Sequence, residues 1–133
     1  MKKYLLMFLM LFTLTSAYAQ NVMWYKTSSV AVRYVNEYGN WTNWTDWQSC
    51  VVDVKLDVAN DKIIIYSNET QIYKVLEQDS VPYDNSGTQV AFKVIDQDYD
   101  IGRVRLRVEN NGNCQIYVDF NDISWVYNVK RVR

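Results

Sequence analysis

Gln48-Ser49-Cys50-Val51-Val52-Asp53-Val54-Lys55-Leu56-Asp57-Val58 decides the fold. Cys50, Val52, Val54, Leu56 and Val58 recur at every second position, and Asp53, Lys55 and Asp57 occupy places between them. Successive side chains of a strand point to opposite faces, so this spacing predicts a strand with one face in a core and the other in water. Ala59-Asn60-Asp61-Lys62 then reads as a tight hairpin turn. Ile63-Ile64-Ile65-Tyr66 is apolar at every position, which predicts a central strand covered on both sides.

The pattern continues in both directions. Upstream, Thr27 to Val35 alternates with Val30, Val32 and Tyr34 on one face, and Asn36-Glu37-Tyr38-Gly39-Asn40 is a turn. Downstream, Ser67-Asn68-Glu69-Thr70 leads into a strand from Gln71 to Leu76. The longest irregular loop, Val81 to Gly87, holds the chain's single proline. Gln89 to Ile95 follows. Arg103 to Val108 places Val104, Leu106 and Val108 inward and Arg103, Arg105 and Arg107 outward. Asn110-Asn111-Gly112-Asn113 is a hairpin turn, because Asn and Gly tolerate positive φ. Cys114, Ile116, Val118 and Phe120 share an inner face; after Asn121-Asp122, so do Trp125, Tyr127 and Val129. Helix-period apolar runs are missing. About eight strands with short links permit only antiparallel neighbours. The expected architecture is all-β: one antiparallel meander forming a small barrel, calycin-like in size, or a two-sheet sandwich.

The domain is preceded by a leader. Met1-Lys2-Lys3 is basic, Tyr4 to Phe12 is apolar, and Ala17-Tyr18-Ala19 is the small-x-small pattern cut by signal peptidase. Residues 1–19 therefore read as a signal peptide of bacterial style, and residues 20–133 as a single domain. The apolar run is too short for a spanning helix. The expected location is outside the cytoplasm, periplasmic or extracellular, with no membrane insertion once the leader is cut. Removing Lys2 and Lys3 takes the fourteen basic side chains to twelve against fifteen acidic ones, a net of −3. That balance argues against a nucleic-acid partner.

Histidine is absent from the whole chain. Ser-His-Asp and Cys-His machinery is thereby excluded, and so is the commonest metal ligand. No carboxylate pair is singled out by its spacing. The reading is of no catalytic residue, no metal site and no cofactor. Cys50 and Cys114 both fall on inner faces. An exported chain with two cysteines invites a disulfide, which would close a loop of about 65 residues and contribute roughly 4 kcal/mol. Two buried, reduced thiols are the alternative.

Trp41-Thr42-Asn43-Trp44-Thr45-Asp46-Trp47 is the most unusual stretch. Strand parity carried back from Cys50 puts Trp44 inward and Trp41 and Trp47 together on the opposite face. That pair could stack on a sugar ring or an apolar ligand; alternatively, all three close a barrel end or pack under a bulge. Asp96-Gln97-Asp98-Tyr99-Asp100-Ile101-Gly102 has the alternate carboxylates of a calcium loop. Its glycine is one place late and Arg107 stands where the closing glutamate belongs, so it reads as an acidic turn. The arginine ladder reads as a charged outer face, paired across strands with Asp53, Asp57 or Asp119. Asn40-Trp41-Thr42, Asn43-Trp44-Thr45 and Asn68-Glu69-Thr70 match the N-glycosylation pattern, which carries no meaning behind a bacterial-style leader.

Several stretches also carry a resemblance: Trp41-x-x-Trp44, Val52-x-Val54-x-Leu56, Lys62 to Ser67, Gln71-Ile72-Tyr73, Cys114 to Val118 and Trp125 to Val129. Their order resembles that of small exported all-β proteins of gut Bacteroidetes and the phages that infect them. The resemblance implies an exported all-β domain and transfers no catalytic residue. The functional expectation is a non-catalytic exported domain that binds a small ligand, a glycan or a protein partner in the cell envelope. An envelope structural or assembly protein is the second class, and a carboxylate-based hydrolase the third.

Overall fold

The computed structural model describes residues 22–79 and 86–132. The stretch read as a leader, with its cleavage pattern, and most of the proline loop lie outside the described residues. Nine strands run in chain order: β1 (Val22–Tyr34), β2 (Gln48–Ser49), β3 (Asp53–Asp57), β4 (Lys62–Ile65), β5 (Gln71–Asp79), β6 (Gly87–Ile95), β7 (Ile101–Glu109), β8 (Cys114–Asp119) and β9 (Ile123–Arg131). Each of β3 to β8 pairs antiparallel with the next, and β1 pairs with both β3 and β9. Eight strands therefore close into a barrel, with β2 as an extra strand on β1. The meander predicted from the alternation is correct, and closure selects the barrel over the sandwich.

The strand β1 does double duty. Its first half, Val22 to Lys26, pairs with β3. Its second half carries β2 on that same edge, through Ser29↔Ser49 and Val30↔Gln48. The other edge pairs with β9 from Tyr25↔Arg131 to Tyr34↔Ile123, with a bulge at Ser28. An extra residue switches the inward parity, so Tyr25 and Thr27 face in before the bulge and Val30 and Val32 after it.

The lumen is filled. Tyr25, Val54, Leu56, Ile63, Ile65, Tyr73, Phe92, Val94, Val104, Leu106, Ile116, Val118, Tyr127 and Val129 form one buried cluster. Eight strands give an interior just wide enough for side chains to pack. The space that holds ligand in a calycin is occupied here by Leu, Ile, Val and aromatic rings. Towards one end, the Phe120 ring stacks on Trp125 at 6.0 Å and lies 6.3 Å from Tyr73. Gly102 makes this fit: a Cβ there would lie 2.7 Å from the Phe120 ring and 2.7 Å from the Asp119 carbonyl.

Five local expectations need correction. The single strand Gln48–Val58 is two strands, β2 and β3, separated where Val51 bulges into solvent. Thr27 bridges the break: its hydroxyl donates to the Cys50 carbonyl (2.6 Å) and accepts from the Val52 N–H (2.8 Å). Val58 leaves the inner face for a 3-10 turn, Val58–Asn60. Asp57, expected outward, is buried and caps that turn, accepting from the Asn60 backbone (3.3 Å) and side chain (2.9 Å). In Ile63–Tyr66 only Ile63 and Ile65 are fully buried, facing the lumen, while Ile64 is half-buried on the outer face. Tyr66 lies outside and stacks on Trp24 at 6.0 Å. Val108, expected inward, is exposed at the end of β7.

Candidate functional site

The chain between β1 and β2 lies along the wall as a strap. Val35 bridges Trp41. The Thr42 N–H donates to the Tyr34 carbonyl (2.8 Å), and the Tyr34 N–H donates back to the Thr42 hydroxyl (3.1 Å). Three residues on, Thr45 repeats the exchange with Val32, at 2.9 Å in both directions. A further three residues on, Gln48 pairs with Val30. Thus three strap residues advance for every two of β1. Two threonine hydroxyls stand in for the carbonyls that a regular ladder would offer, as short polar side chains do when they compete with secondary structure.

This period of three, in place of two, puts Trp41, Trp44 and Trp47 on the outside of the barrel. The Arg33 guanidinium lies between two of them, 4.8 Å from the Trp41 ring centre and 4.7 Å from that of Trp44. Trp44 then meets Tyr117 of β8 edge to face at 6.3 Å. Tyr117 in turn carries the Arg105 guanidinium at 4.2 Å. The result is a row of packed rings and guanidinium groups, Trp41–Arg33–Trp44–Tyr117–Arg105, across β1, β8 and β7. Arg105 is held by Asp119 at 2.6 Å, and Asp119 also accepts from the Ser124 hydroxyl at 2.5 Å.

Beside this row is a cleft of about 200 Å³, lined by Ala31, Trp44, Thr45, Trp47, Gln115, Tyr117 and Val126. Ala31 and Val126 pair across β1 and β9 and form an apolar floor. The indoles and the Tyr117 phenol are the walls. Gln115 supplies an amide whose oxygen accepts from Tyr117 Oη (2.9 Å) and whose nitrogen donates to Asn128 (3.1 Å).

The two tryptophans singled out from the sequence, Trp41 and Trp47, do lie outside, at 42% and 48% exposure. Trp44, expected inward, lies outside with them, because the threonine exchange breaks the parity that placed it. The pairing into a platform also changes: Trp47 shares the cleft with Trp44, while Trp41 belongs to the Arg33 stack. Arg33, Gln115 and Tyr117 were not legible as site residues. The Trp-Thr-x-Trp-Thr-x-Trp period of three was the available signal for the strap.

Of the two readings of Cys50 and Cys114, the reduced one holds: both are free, half-buried thiols. Cys114 pairs with Val129, Val129 with Thr27, and Thr27 bonds Cys50 on its far edge. Three strand-to-strand steps of about 4.8 Å lie between them around the wall, whereas a disulfide needs Cα atoms within roughly 7 Å. Burial raises the Cys114 thiol above its usual pKa, which keeps it protonated and unreactive.

The acidic turn is self-contained. Asp96 Oδ1 accepts from the N–H groups of Asp98 (2.9 Å) and Asp100 (2.8 Å). Among the described residues, no group of three or more Asp, Glu, Cys or His side chains could hold a metal ion. The arginine ladder faces out as expected. Arg105 takes Asp119, one of the three predicted partners, while Arg103 pairs with Asp79 at 3.0 Å and Arg107 with Glu109 at 3.9 Å. Comparison of the chain with protein-family models, with curated proteins and with solved structures finds no match.

Proposed function

We propose that the chain is a non-catalytic exported domain whose outer aromatic cleft binds one saccharide ring of an envelope glycan. The cleft carries this reading: an apolar floor of Ala31 and Val126, walls of Trp44, Trp47 and Tyr117, and polar groups from Gln115 and Thr45. A pyranose has an apolar C–H face and a polar rim. The face suits an indole, and the rim suits an amide and a hydroxyl. The volume of about 200 Å³ is below that of drug-sized sites and matches a single ring. The leader sequence supports export, and the lack of histidine supports binding without catalysis. Asp57, Asp79 and Asp119 also favour that reading, since each is engaged in a cap or an ion pair.

The test is saturation-transfer NMR of the mature chain against neutral hexosides, N-acetylhexosaminides and uronides. Binding should shift the Trp44 and Trp47 indole signals. Trp47→Ala should weaken it at least tenfold while leaving the thermal midpoint within a few degrees. A Trp47→Ala protein that unfolds, or a wild type that binds none of the three sugar classes, overturns the reading.

A further inference from the structure

We propose that the ligand of this cleft is an acidic saccharide, with Arg33 as the contact for its anionic group. The inference rests on the binding reading above and adds the charge of the ligand. Two arginines stack on aromatic rings of this face, and they differ in one respect. Arg105 is neutralised by Asp119 at 2.6 Å. Arg33 has no carboxylate partner among the described residues, and its Nε is buried without an acceptor.

No neighbouring side chain fills that role. Ser124 stands directly across from Arg33 in the β1–β9 register, but its hydroxyl donates to Asp119 and makes no bond to Arg33. Asp119 itself is taken by Arg105. Asp46, on the strap between Trp44 and Trp47, makes no bond to Arg33.

A guanidinium stays charged at any physiological pH. With its faces covered by Trp41 and Trp44, it retains only its in-plane N–H groups for a partner. Those are the groups that grip a planar carboxylate or a sulfate oxygen pair. The stack also holds the side chain in place, so little conformational freedom is lost when an anion arrives.

The spacing fits one sugar. Ala31 on the cleft floor and Arg33 lie on the same outer row of β1, two residues or about 6.6 Å apart. Trp44 serves both, as a wall of the cleft and as one cover of the guanidinium. Arg33 does not line the cleft itself but lies against the Trp44 wall, so a carboxylate carried on a ring seated on Ala31 and Val126 meets it past the edge of that indole. A uronic acid has that layout, and so does a sugar sulfated next to the ring.

The experiment is an NMR titration of the mature chain with methyl β-glucuronide and methyl β-glucoside, which differ only in the carboxylate. The uronide should bind about tenfold more tightly at low ionic strength. The advantage should shrink in 0.5 M salt. It should vanish in Arg33→Gln, with glucoside affinity retained. The uronide should also shift the Arg33 Nε–H signal of the wild type, which decides the matter even if Arg33→Gln does not fold. Equal affinities for the two sugars, an unmoved Nε–H signal, or an advantage that survives Arg33→Gln overturns the inference and leaves the cleft a neutral-sugar site. Binding of neither sugar removes the saccharide reading itself, and the inference with it.

Discussion

At the scale of single residues, the side chains that matter most are those whose roles alternation cannot express. Thr27 sits on an inner face among hydrophobic neighbours, yet its hydroxyl closes two backbone groups across the β2–β3 break. Thr27→Val keeps the shape and leaves the Cys50 carbonyl and Val52 N–H without partners. Each such group costs about 1–3 kcal/mol when buried. The variant should lose about 2–3 kcal/mol in urea unfolding, and Thr27→Ser should recover most of it. Tyr99 is the converse case. Three turns share one bonding pattern, in which the first residue's N–H reaches the fifth residue's carbonyl and the fourth residue's N–H returns to the first: Asn36–Asn40, Asp96–Asp100 and Glu109–Asn113. The fourth residue is left-handed in all three: Gly39 at φ 79°, Gly112 at φ 91° and Tyr99 at φ 67°. Tyr99 alone has a Cβ to strain there, and its ring is exposed. Tyr99→Gly should therefore stabilise the protein by about 0.5–1 kcal/mol, read as a higher thermal midpoint.

At the scale of elements, the strap and the Phe120 plug show how short segments shape a barrel. The strap makes a sparse ladder with β1 and is held besides by the Trp41–Arg33–Trp44 stack. Cation–π contacts contribute about 0.5–2 kcal/mol each, enough to order a segment that does not form a regular strand. The plug depends on β7 having no side chain at Gly102. Gly102→Ala sets a methyl against the Phe120 ring and the Asp119 carbonyl. Overpacking of this kind costs about 1–3 kcal/mol. Denaturant unfolding should report that loss, and Phe120→Leu combined with Gly102→Ala should recover part of it.

At the scale of the whole molecule, closure joins β1 to β9 across nearly the full domain. Asn128 Nδ2 donates to Ser29 Oγ over a separation of 99 residues. The closed lumen also sets the response to alkali. Burial is the largest cause raising the phenols of Tyr25, Tyr73 and Tyr127 above their ordinary value of 10.0, and the Cys114 thiol above 9.0. In the unfolded chain these groups ionise at ordinary pH values; in the barrel they stay protonated. Their folded pKa is the higher one, so their contribution is fully present below about pH 9 and is lost as pH rises beyond it. Stability should fall from about pH 9 to pH 12, by up to about 1.4 kcal/mol per pH unit for each group that differs. Thermal melts across that range check this, and Tyr73→Phe should flatten the fall.

Much of this architecture was legible locally. Val54 and Leu56 against Asp53 and Lys55, Val104 and Leu106 against the arginines, and Ile116 and Val118 of β8 all face as their alternation implies, because a strand's two faces are written two residues apart. The short turns implied antiparallel neighbours, and so a meander. What alternation could not carry was decided by partners distant in the chain. Closure depends on β1 meeting β9, and a bulge at Ser28 sets its parity. The outward position of Trp44 depends on Thr42 and Thr45 bonding Tyr34 and Val32. The separation of Cys50 from Cys114 depends on how many strands stand between them. The cleft likewise exists only where the strap crosses β8 and β9, since its walls come from Trp44 and Trp47 on one side and Tyr117 on the other. Periodicity is a property of neighbours along the chain, and the site is made of neighbours across it.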